Sequence, residues 1–246
     1  MSTGPHPDPA SDQAIKNVMP IINCLDHGFV RLVDFMGNDL SVSRAARVSY
    51  DAAWRSGEDE KSDARLIGYL WKNKHTSPFE SVTFTFEVKA PIFVFRQWHR
   101  HRTWSYNELS ARYKELPNEY YVPKPEHIGE QSKDSKQARV LSGTSGETRY
   151  NEVENYDRFC DMAYQIYMKL LDAGWPRELA RACLPLSMYS HMFATVDMLN
   201  LFKFLTLRLH SHAQYEIRVY AEAMLELIKP IVPVSVAAFL KSQEAL

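Results

Sequence analysis

Cysteine is scarce in this chain, with three residues in 246: Cys24, Cys160 and Cys183. They are widely spaced and odd in number, whereas a disulfide framework needs paired cysteines in a short secreted chain. The sequence therefore predicts reduced thiols and a cytoplasmic protein. We expect the three cysteines to be packing residues.

The chain also has few glycines, almost no net charge and no long apolar run. Only nine glycines are present, and no Gly-x-Gly-x-x-Gly motif occurs, which excludes the usual dinucleotide-binding fold but not flavin binding. The formal net charge of −1 gives no global field for holding a polyanion, so a nucleic-acid-binding surface would have to be local. No apolar stretch approaches the roughly twenty residues that span a bilayer, so no membrane segment is expected.

The chain divides into a tail and one domain. Residues 1–17 are rich in Pro, Ser, Asp and Gly and have neither a basic start nor an apolar run. They predict a disordered tail rather than a signal or transit peptide. Residues 18–246 predict a single domain, which is long enough to bury a substantial core. Within it, residues 117–146 are polar and interrupted by Pro, Gly and Ser, which predicts a long surface excursion.

The apolar spacing predicts strands mostly early in the chain and helices mostly late. Residues 28–36 are strand-like, and residues 82–89 alternate between apolar and polar side chains, as in a half-buried strand. Helical spacing is found at 66–71, after Pro91, at 147–173, after Pro176, at 198–210 and at 213–229, where we expect the fold to close before Pro230 and Pro233. These elements predict an α+β domain with a mixed or antiparallel sheet and long helices.

The segment from Arg100 to Arg112 reads Arg-His-Arg-Thr-Trp-Ser-Tyr-Asn-Glu-Leu-Ser-Ala-Arg. Guanidinium groups match the geometry of phosphate and carboxylate, hydroxyls and amides satisfy the remaining acceptors, and Glu108 can bind sugar hydroxyls or orient a ring. With Arg96 just before it, the segment sets four arginines against one local acid. This excess of positive charge predicts a nucleotide pocket.

Two other interpretations of this segment stay open. In the first, it is a solvated loop whose arginines pair with acids elsewhere in the chain. In the second, it belongs to a module that binds single-stranded nucleic acid, with Trp98, Trp104 and Tyr106 as stacking platforms. The near-neutral net charge and the carboxylate of Glu108 in the middle of the segment count against the second interpretation.

At every fixed position the segment matches the signature Arg-His-Arg-x-x-Ser-x-Asn-Glu-x-Ser-x-Arg of the flavin-dependent thymidylate synthases, which the chain resembles. The resemblance extends over roughly residues 20–240 and includes His75-Thr-Ser-Pro-Phe-Glu80, Lys89-Ala-Pro-Ile-Phe-Val94, Pro176-Arg-Glu-Leu-Ala-Arg181 and Leu207-Arg-Leu-His-Ser-His-Ala213. It implies FAD as cofactor, NADPH and methylenetetrahydrofolate as co-substrates, and reductive methylation of dUMP to dTMP. It also implies a homotetramer whose active sites are shared between subunits. A flavoprotein that only oxidises NADPH would share the cofactor residues and stays an alternative.

The resemblance also implies roles for individual residues. Those implied for dUMP are Gln97, Trp98, His99, Arg100, Glu108, Leu109, Ser110, Ala111, Arg112, Arg181 and Arg208. Those implied for FAD are Ser77, Arg100, His101, Arg102, Glu108, Asp197, Met198, Leu199 and Lys203. His75 and His101 are expected on the folate or flavin side. Arg208 is the expected catalytic residue, because the matching family arginine is thought to polarise the pyrimidine ring around N3.

The residues themselves add expectations about Arg208 and the flavin positions. Arg208 lies in a very apolar stretch, where an unpaired guanidinium would be unfavourable, so it needs an anionic or acceptor-rich partner. Asp197 and Lys203 stand where the family commonly has amides, and a carboxylate cannot donate as an amide does. His99 replaces a more usual aromatic residue, which we expect to alter only packing.

Neither a metal site nor a cysteine nucleophile is expected. The two His-x-His pairs, at 99–101 and 210–212, lack a cysteine or a carboxylate at ligand spacing. Cys183 stands before Leu184 and Pro185, where it resembles the nucleophile of the better-known thymidylate synthases. A small thiol in a hydrophobic slot is the alternative that we favour, and Cys183 is then unreactive.

Overall fold

The computed structural model describes residues 20–133, 139–140 and 147–243. The predicted tail at 1–17 and part of the polar segment at 117–146 lie outside these ranges. The main strands are β1 (Ile21–Cys24), β2 (Gly28–Met36), β3 (Thr83–Pro91), β4 (Ser105–Glu108) and β7 (Tyr189–Asp197), and β5 (Glu130–Gln131) pairs separately with β6 (Arg139–Val140). The main sheet has the order β1-β2-β3-β7-β4 and is antiparallel throughout.

Helices connect the strands and follow them. They are α1 (Asp39–Arg47), α2 (Glu60–Lys72), α3 (Ile92–Trp98), α4 (Pro125–Ile128), α5 (Glu147–Asp172), α6 (Arg177–Ala180), α7 (Met198–Arg208), α8 (Tyr215–Ile228) and α9 (Pro233–Gln243). The α+β architecture is therefore confirmed, with an antiparallel sheet. None of the described helices is both long and apolar enough to span a bilayer.

The core lies between the sheet and helices α7 and α8. The predicted alternation at 82–89 is confirmed, because Val82, just before β3, and Phe84, Phe86 and Val88 within it are all fully buried. Helix α8 packs on β1, β2, α3 and α7. This packing fixes α3 and α7 relative to each other, and these two helices carry Gln97 and Arg208.

Strand β7 is the main element that the apolar spacing did not predict. It lies between β3 and β4, so the expectation that strands come early in the chain is wrong for a central strand of the sheet. Its core-facing side chains include Ser190 and Ala194, whereas Phe193 faces outward and is 39% exposed. Small or polar residues inside and an aromatic residue outside remove the alternation that marks a half-buried strand.

The end of the fold also differs from the expectation. Pro233 begins helix α9 instead of following the last helix. The carboxylate of Asp39 accepts hydrogen bonds from the backbone amides of Val234 (2.8 Å) and Ser235 (2.9 Å). Proline is tolerated in the first turn of a helix, where an N–H would lack an intrahelical partner, and an acid from another element caps this one.

The polar segment at 117–146 begins against the core. The backbone amide of Tyr121 donates to Ser187 O (2.9 Å), and that of Tyr189 donates to Glu119 O (2.9 Å). The side chain of Tyr121 is buried. The start of this segment is thus paired with the chain that leads into β7.

Candidate active site

The arginine-rich segment is held by aromatic packing beneath it. Trp98, the last residue of α3, is fully buried and stacks on Phe204 of α7 with ring centroids 4.9 Å apart. Trp104 packs on both rings, and the hydroxyl of Tyr106 donates to His101 O (2.9 Å). These contacts fix the turn that connects α3 to β4. They also bury both tryptophans, so neither ring is available for stacking on nucleic acid.

Arg100 and Arg102 project from this turn into solvent. Within the described part of the chain, neither makes an ion pair, and the same is true of Arg96, Arg112 and Arg181. The interpretation of a loop whose arginines pair with acids elsewhere is therefore not supported. Guanidinium groups without an acid partner are suited to binding anions.

Arg208 reaches the same turn from the end of α7. Its Nε donates to His101 Nε2 (3.1 Å), and its Nη2 donates to the backbone oxygen of Gln97 (3.4 Å). The expected acceptor-rich partner of Arg208 is therefore a ring nitrogen and a carbonyl. Burial, together with the neighbouring charge of Arg208, lowers the pKa of His101 from 6.5 to about 4, and burial lowers the pKa of Arg208. His101 is thus neutral near pH 7.

This shift predicts a pH dependence of stability. Between pH 6.5 and about 4 the unfolded chain binds a proton at His101 while the folded chain does not, so the free energy of unfolding falls as the pH is lowered through this window. His101→Gln keeps an acceptor for Arg208 but does not titrate. Urea unfolding at a series of pH values measures the free energy of unfolding. As the pH is lowered, this free energy should fall less steeply for the variant than for the wild-type protein. Equal slopes for the two proteins would contradict the assigned pKa.

A cavity of about 420 Å³ opens beside the edge where β4 pairs with β7. The carboxylate of Glu108 accepts from Ser190 Oγ (2.6 Å), and the amide of Leu109 donates to His191 O (2.7 Å). The cavity is lined by Ile92, Glu108, Leu109, Ala111, Leu116, Glu178, Arg181, Ala182, Leu184, Pro185, Leu186 and Ser190. Its volume lies within the usual range for small-molecule sites. The structure therefore brings together Glu108, Leu109, Ala111 and Arg181.

The other residues implied for dUMP are not part of the cavity lining and lie at the end of α3 and just after it, on the turn after β4, and at the end of α7. Ser110 Oγ accepts from the amide of Arg112 (3.4 Å), and the Arg112 side chain lies exposed over the ring of Tyr113 at 5.4 Å. His99 packs edge-on against Tyr106 at 4.8 Å. Trp98 contributes its backbone oxygen, which accepts from the Tyr106 hydroxyl at 3.3 Å.

The positions implied for FAD fall into two groups. The first lies between the end of α3 and the end of β4, at Arg100, His101, Arg102 and Glu108, and the second surrounds the start of α7. Asp197 caps this helix by accepting from the Asn200 amide (3.0 Å), and Lys203 Nζ donates to Asn200 Oδ1 (3.2 Å). Met198 and Leu199 are buried in the core. Ser77 begins a 3-10 turn, Ser77–Ser81, that packs against α7, and His75 lies exposed just before it.

Comparison with known proteins now supports a family assignment. Residues 31–234 match the model of the family described as thymidylate synthase complementing protein. The chain belongs to this family. It is 48% identical over 215 residues to the flavin-dependent thymidylate synthase of Treponema denticola, covering 87% of this chain and 80% of the relative. It is 46% identical over 220 residues to the flavin-dependent thymidylate synthase of Thermotoga neapolitana, and this match covers 89% of this chain and 94% of that relative. The flavin-dependent thymidylate synthases are thus its enzyme family.

A solved structure of a related enzyme has the same fold. The UMP/dUMP methylase PolB from Streptomyces cacaoi, bound to 5-Br dUMP, superimposes with a TM-score of 0.80 at 39% sequence identity. The match covers 89% of this chain and 97% of PolB. A second PolB structure, bound to 5-Br UMP, gives a TM-score of 0.79.

For this family member, the structure places Cys183 beside the cavity lining and not within it. Its Sγ donates to Ala180 O (3.2 Å), and all three cysteines are free. In the part of the chain that is described, no group of three or more His, Cys, Asp or Glu side chains has an arrangement that could hold a metal ion.

We predict that Cys183→Ala leaves turnover almost unchanged, because this thiol lies outside the cavity lining and makes only weak contacts with the backbone oxygens of Ala180 and Ala163. Steady-state assays of thymidylate formation test this expectation. An inactive variant that is folded by circular dichroism would restore the thiol as the nucleophile.

Two residues that contact the predicted site residues, Ser190 and Gln214, were not predicted from the sequence. Ser190 lies in the strand that was not predicted, so nothing indicated its contact with Glu108. Gln214, which is hydrogen-bonded to Gln97, directly follows the matching segment Leu207–Ala213. Its position just after that segment was the only available signal.

Proposed function

We propose that this chain catalyses the reductive methylation of dUMP to dTMP, with methylenetetrahydrofolate as the carbon donor and reduced FAD, reloaded by NADPH, as the hydride donor. The observation that carries the proposal is the group of unpaired arginines beside the Arg208–His101 contact. Membership of the thymidylate synthase family supports it. The dUMP analogue bound to the related PolB enzyme supports the choice of nucleotide.

The nucleotide phosphate requires cations that are not already in ion pairs. Arg181 lines the cavity with Glu108 and Glu178 and makes no ion pair with either of them; the carboxylate of Glu108 is held by Ser190 and suits a sugar hydroxyl. Arg112 and the hydroxyl of Ser110 lie on the turn that follows β4. In the proposal these groups bind the phosphate and the sugar of dUMP, because guanidinium and hydroxyl donors complement phosphate oxygens.

Arg208 is the proposed catalytic residue. Negative charge on the pyrimidine around N3 makes C5 nucleophilic, and a fixed guanidinium stabilises that charge. Because His101 is neutral, it orients Arg208 by accepting from Nε, while Nη2 donates to Gln97 O, and Nη1 is left available to donate to the nucleotide. The expected role of this chain is therefore orientation and electrostatic stabilisation.

The residues fit a flavin with a negatively charged pyrophosphate. Arg100 and Arg102 are exposed and have no acid partner among the described residues, as a diphosphate site requires. Asp197 is occupied as a helix cap and can only accept, and the side chains of Met198 and Leu199 are buried, so around α7 the backbone and Lys203 are the available donors. When bound, the flavin supplies the hydride, and these residues orient it.

We also propose that the chain works in the cytoplasm as a homotetramer with shared active sites. Phe159, Met162 and Ile166 form an exposed apolar stripe on α5, and Leu186 at the mouth of the cavity is 63% exposed. Exposed apolar area of this kind is typical of an interface. Analytical ultracentrifugation is expected to give four times the chain mass, and a monomer would refute the assembly.

The alternative, a flavoprotein that only oxidises NADPH, is tested by asking whether reoxidation of the reduced flavin requires dUMP. Flavin reoxidation is followed anaerobically after reduction by NADPH, with methylenetetrahydrofolate present and with or without dUMP. The proposal expects reoxidation only with dUMP, accompanied by thymidylate. Reduction by NADPH followed by reoxidation only in oxygen, with no effect of dUMP, would favour a simple oxidase.

A further inference from the structure

The cavity beside β4 and β7 contains opposite charges that do not pair. The guanidinium of Arg181 and the carboxylates of Glu108 and Glu178 all line it, and all three residues are exposed. Arg181 nevertheless makes no ion pair with any acid in the described part of the chain. Flexible side chains of opposite charge in one small cavity attract each other. Their separation therefore requires a restraint on at least one of them.

Ser190 of β7 restrains the carboxylate of Glu108. Its Oγ donates to Glu108 Oε1 at 2.6 Å, and no other described side chain donates a hydrogen bond to this carboxylate. The backbone is fixed on both sides of the contact, because Glu108 pairs with Met192 and the amide of Leu109 donates to His191 O (2.7 Å). A hydrogen bond to an ionised group is roughly twice as strong as one between neutral groups. One oxygen of Glu108 is thus tied to a central strand of the sheet.

Packing alone does not explain a serine at position 190. The other residues on the inner face of β7, Met192, Ala194 and Val196, are apolar and at most 2% exposed, whereas Ser190 is polar and 4% exposed. A buried hydroxyl lowers stability unless it is hydrogen-bonded, and the partner of this one is a carboxylate in the cavity. The role of Ser190 therefore lies in what it does to Glu108.

We propose that Ser190 is a positioning residue: by holding Glu108 it keeps this carboxylate from pairing with Arg181, so that Arg181 stays available for the phosphate of the nucleotide. The inference rests on the proposed function and adds a residue to it. Without the hydroxyl, Glu108 pairs with Arg181 for part of the time, and the phosphate binds only the remaining fraction of the protein. An ion pair of this kind lowers the apparent affinity for a phosphate roughly three- to sixfold.

The test compares a ligand that has a phosphate with the same ligand without it. dUMP and deoxyuridine share the base and the sugar, so the Kd of deoxyuridine divided by the Kd of dUMP measures the contribution of the phosphate. Calorimetry gives the Kd of dUMP for the FAD-loaded protein, and ligand-observed NMR gives that of deoxyuridine. Ser190→Ala is expected to lower the ratio roughly three- to sixfold. A structural disturbance of the cavity would weaken both ligands and leave the ratio unchanged.

Further variants test whether Ser190 acts through the charge of Glu108. Glu108→Gln keeps the shape of the side chain but cannot form an ion pair with Arg181, so adding Ser190→Ala to Glu108→Gln is expected to leave the ratio unchanged. Ser190→Cys keeps the size but donates weakly, so it is expected to lower the ratio, and it replaces Ser190→Ala if that protein does not fold. Ser187→Ala, at a serine that is 5% exposed and outside the cavity lining, is the matched control and is expected to keep the wild-type ratio.

A wild-type ratio in the folded Ser190→Ala or Ser190→Cys protein would overturn the inference. A ratio that falls when Ser190→Ala is added to Glu108→Gln would overturn it as well, because Ser190 would then act without the charge of Glu108. Wild-type protein that binds dUMP no more tightly than deoxyuridine would overturn the inference but not the proposed reaction. Wild-type protein that binds neither ligand would refute the proposed function itself.

Discussion

Arg208→Ala is expected to lower kcat for thymidylate formation by about 10²–10³-fold while the purified protein stays yellow with bound flavin. The loss follows from removing the donor that stabilises charge on the pyrimidine. Flavin is retained because the turn that carries Arg100 and Arg102, although it contacts Arg208, is held by the packing of Trp98 and by the Tyr106 hydrogen bond. Steady-state kinetics and the visible spectrum of the same preparation measure both effects.

Two control variants sharpen this test. Arg208→Lys keeps the charge but loses the planar fork, so it should recover only a small part of the activity. Arg65→Ala removes an exposed arginine on α2 that has no described ion pair, and it should behave as the wild type. A folded but colourless Arg208→Ala protein would contradict the separation between catalytic and flavin residues. Full turnover would contradict the role of Arg208.

Arg102→Ala is expected to weaken FAD binding by roughly 10–100-fold, because a charge-assisted hydrogen bond contributes about 1.5–3 kcal/mol. The side chain is exposed and makes no described ion pair, so its loss should leave the fold and its thermal unfolding intact. Fluorescence titration of flavin into the apoprotein measures the change. Unchanged affinity in the folded variant would remove Arg102 from the flavin site, and Arg65→Ala again provides the control.

The sequence predicted those elements in which one face is consistently apolar. Strand β3 is the clearest case, because its inward residues Phe84, Phe86, Val88 and Ala90 are all apolar and fully buried. Strand β7 could not be predicted in this way, because its inner face includes Ser190 and Ala194 and its outer face carries Phe193. Tertiary pairing with β3 and β4 stabilises this strand, and such pairing leaves no local pattern.

The site residues could be predicted where several reactive or charged side chains lie close together in one segment of the sequence. Arg100 to Arg112 could be identified because the arginines, the serine and the glutamate are close in sequence. The contact between Arg208 and His101 joins residues 107 apart, and the contact between Gln97 and Gln214 joins residues 117 apart. The contact between Ser190 and Glu108 joins residues 82 apart, and Ser190 lies in a strand that the apolar spacing did not predict.

The central claim is tested most directly by anaerobic incubation of the purified protein with FAD, NADPH, methylenetetrahydrofolate and dUMP, with each component omitted in turn. Thymidylate is measured by mass spectrometry. The account predicts product only in the complete mixture, and none when FAD, NADPH, the folate or dUMP is left out. Bound flavin without thymidylate in the complete mixture, or thymidylate formed without FAD, would contradict it.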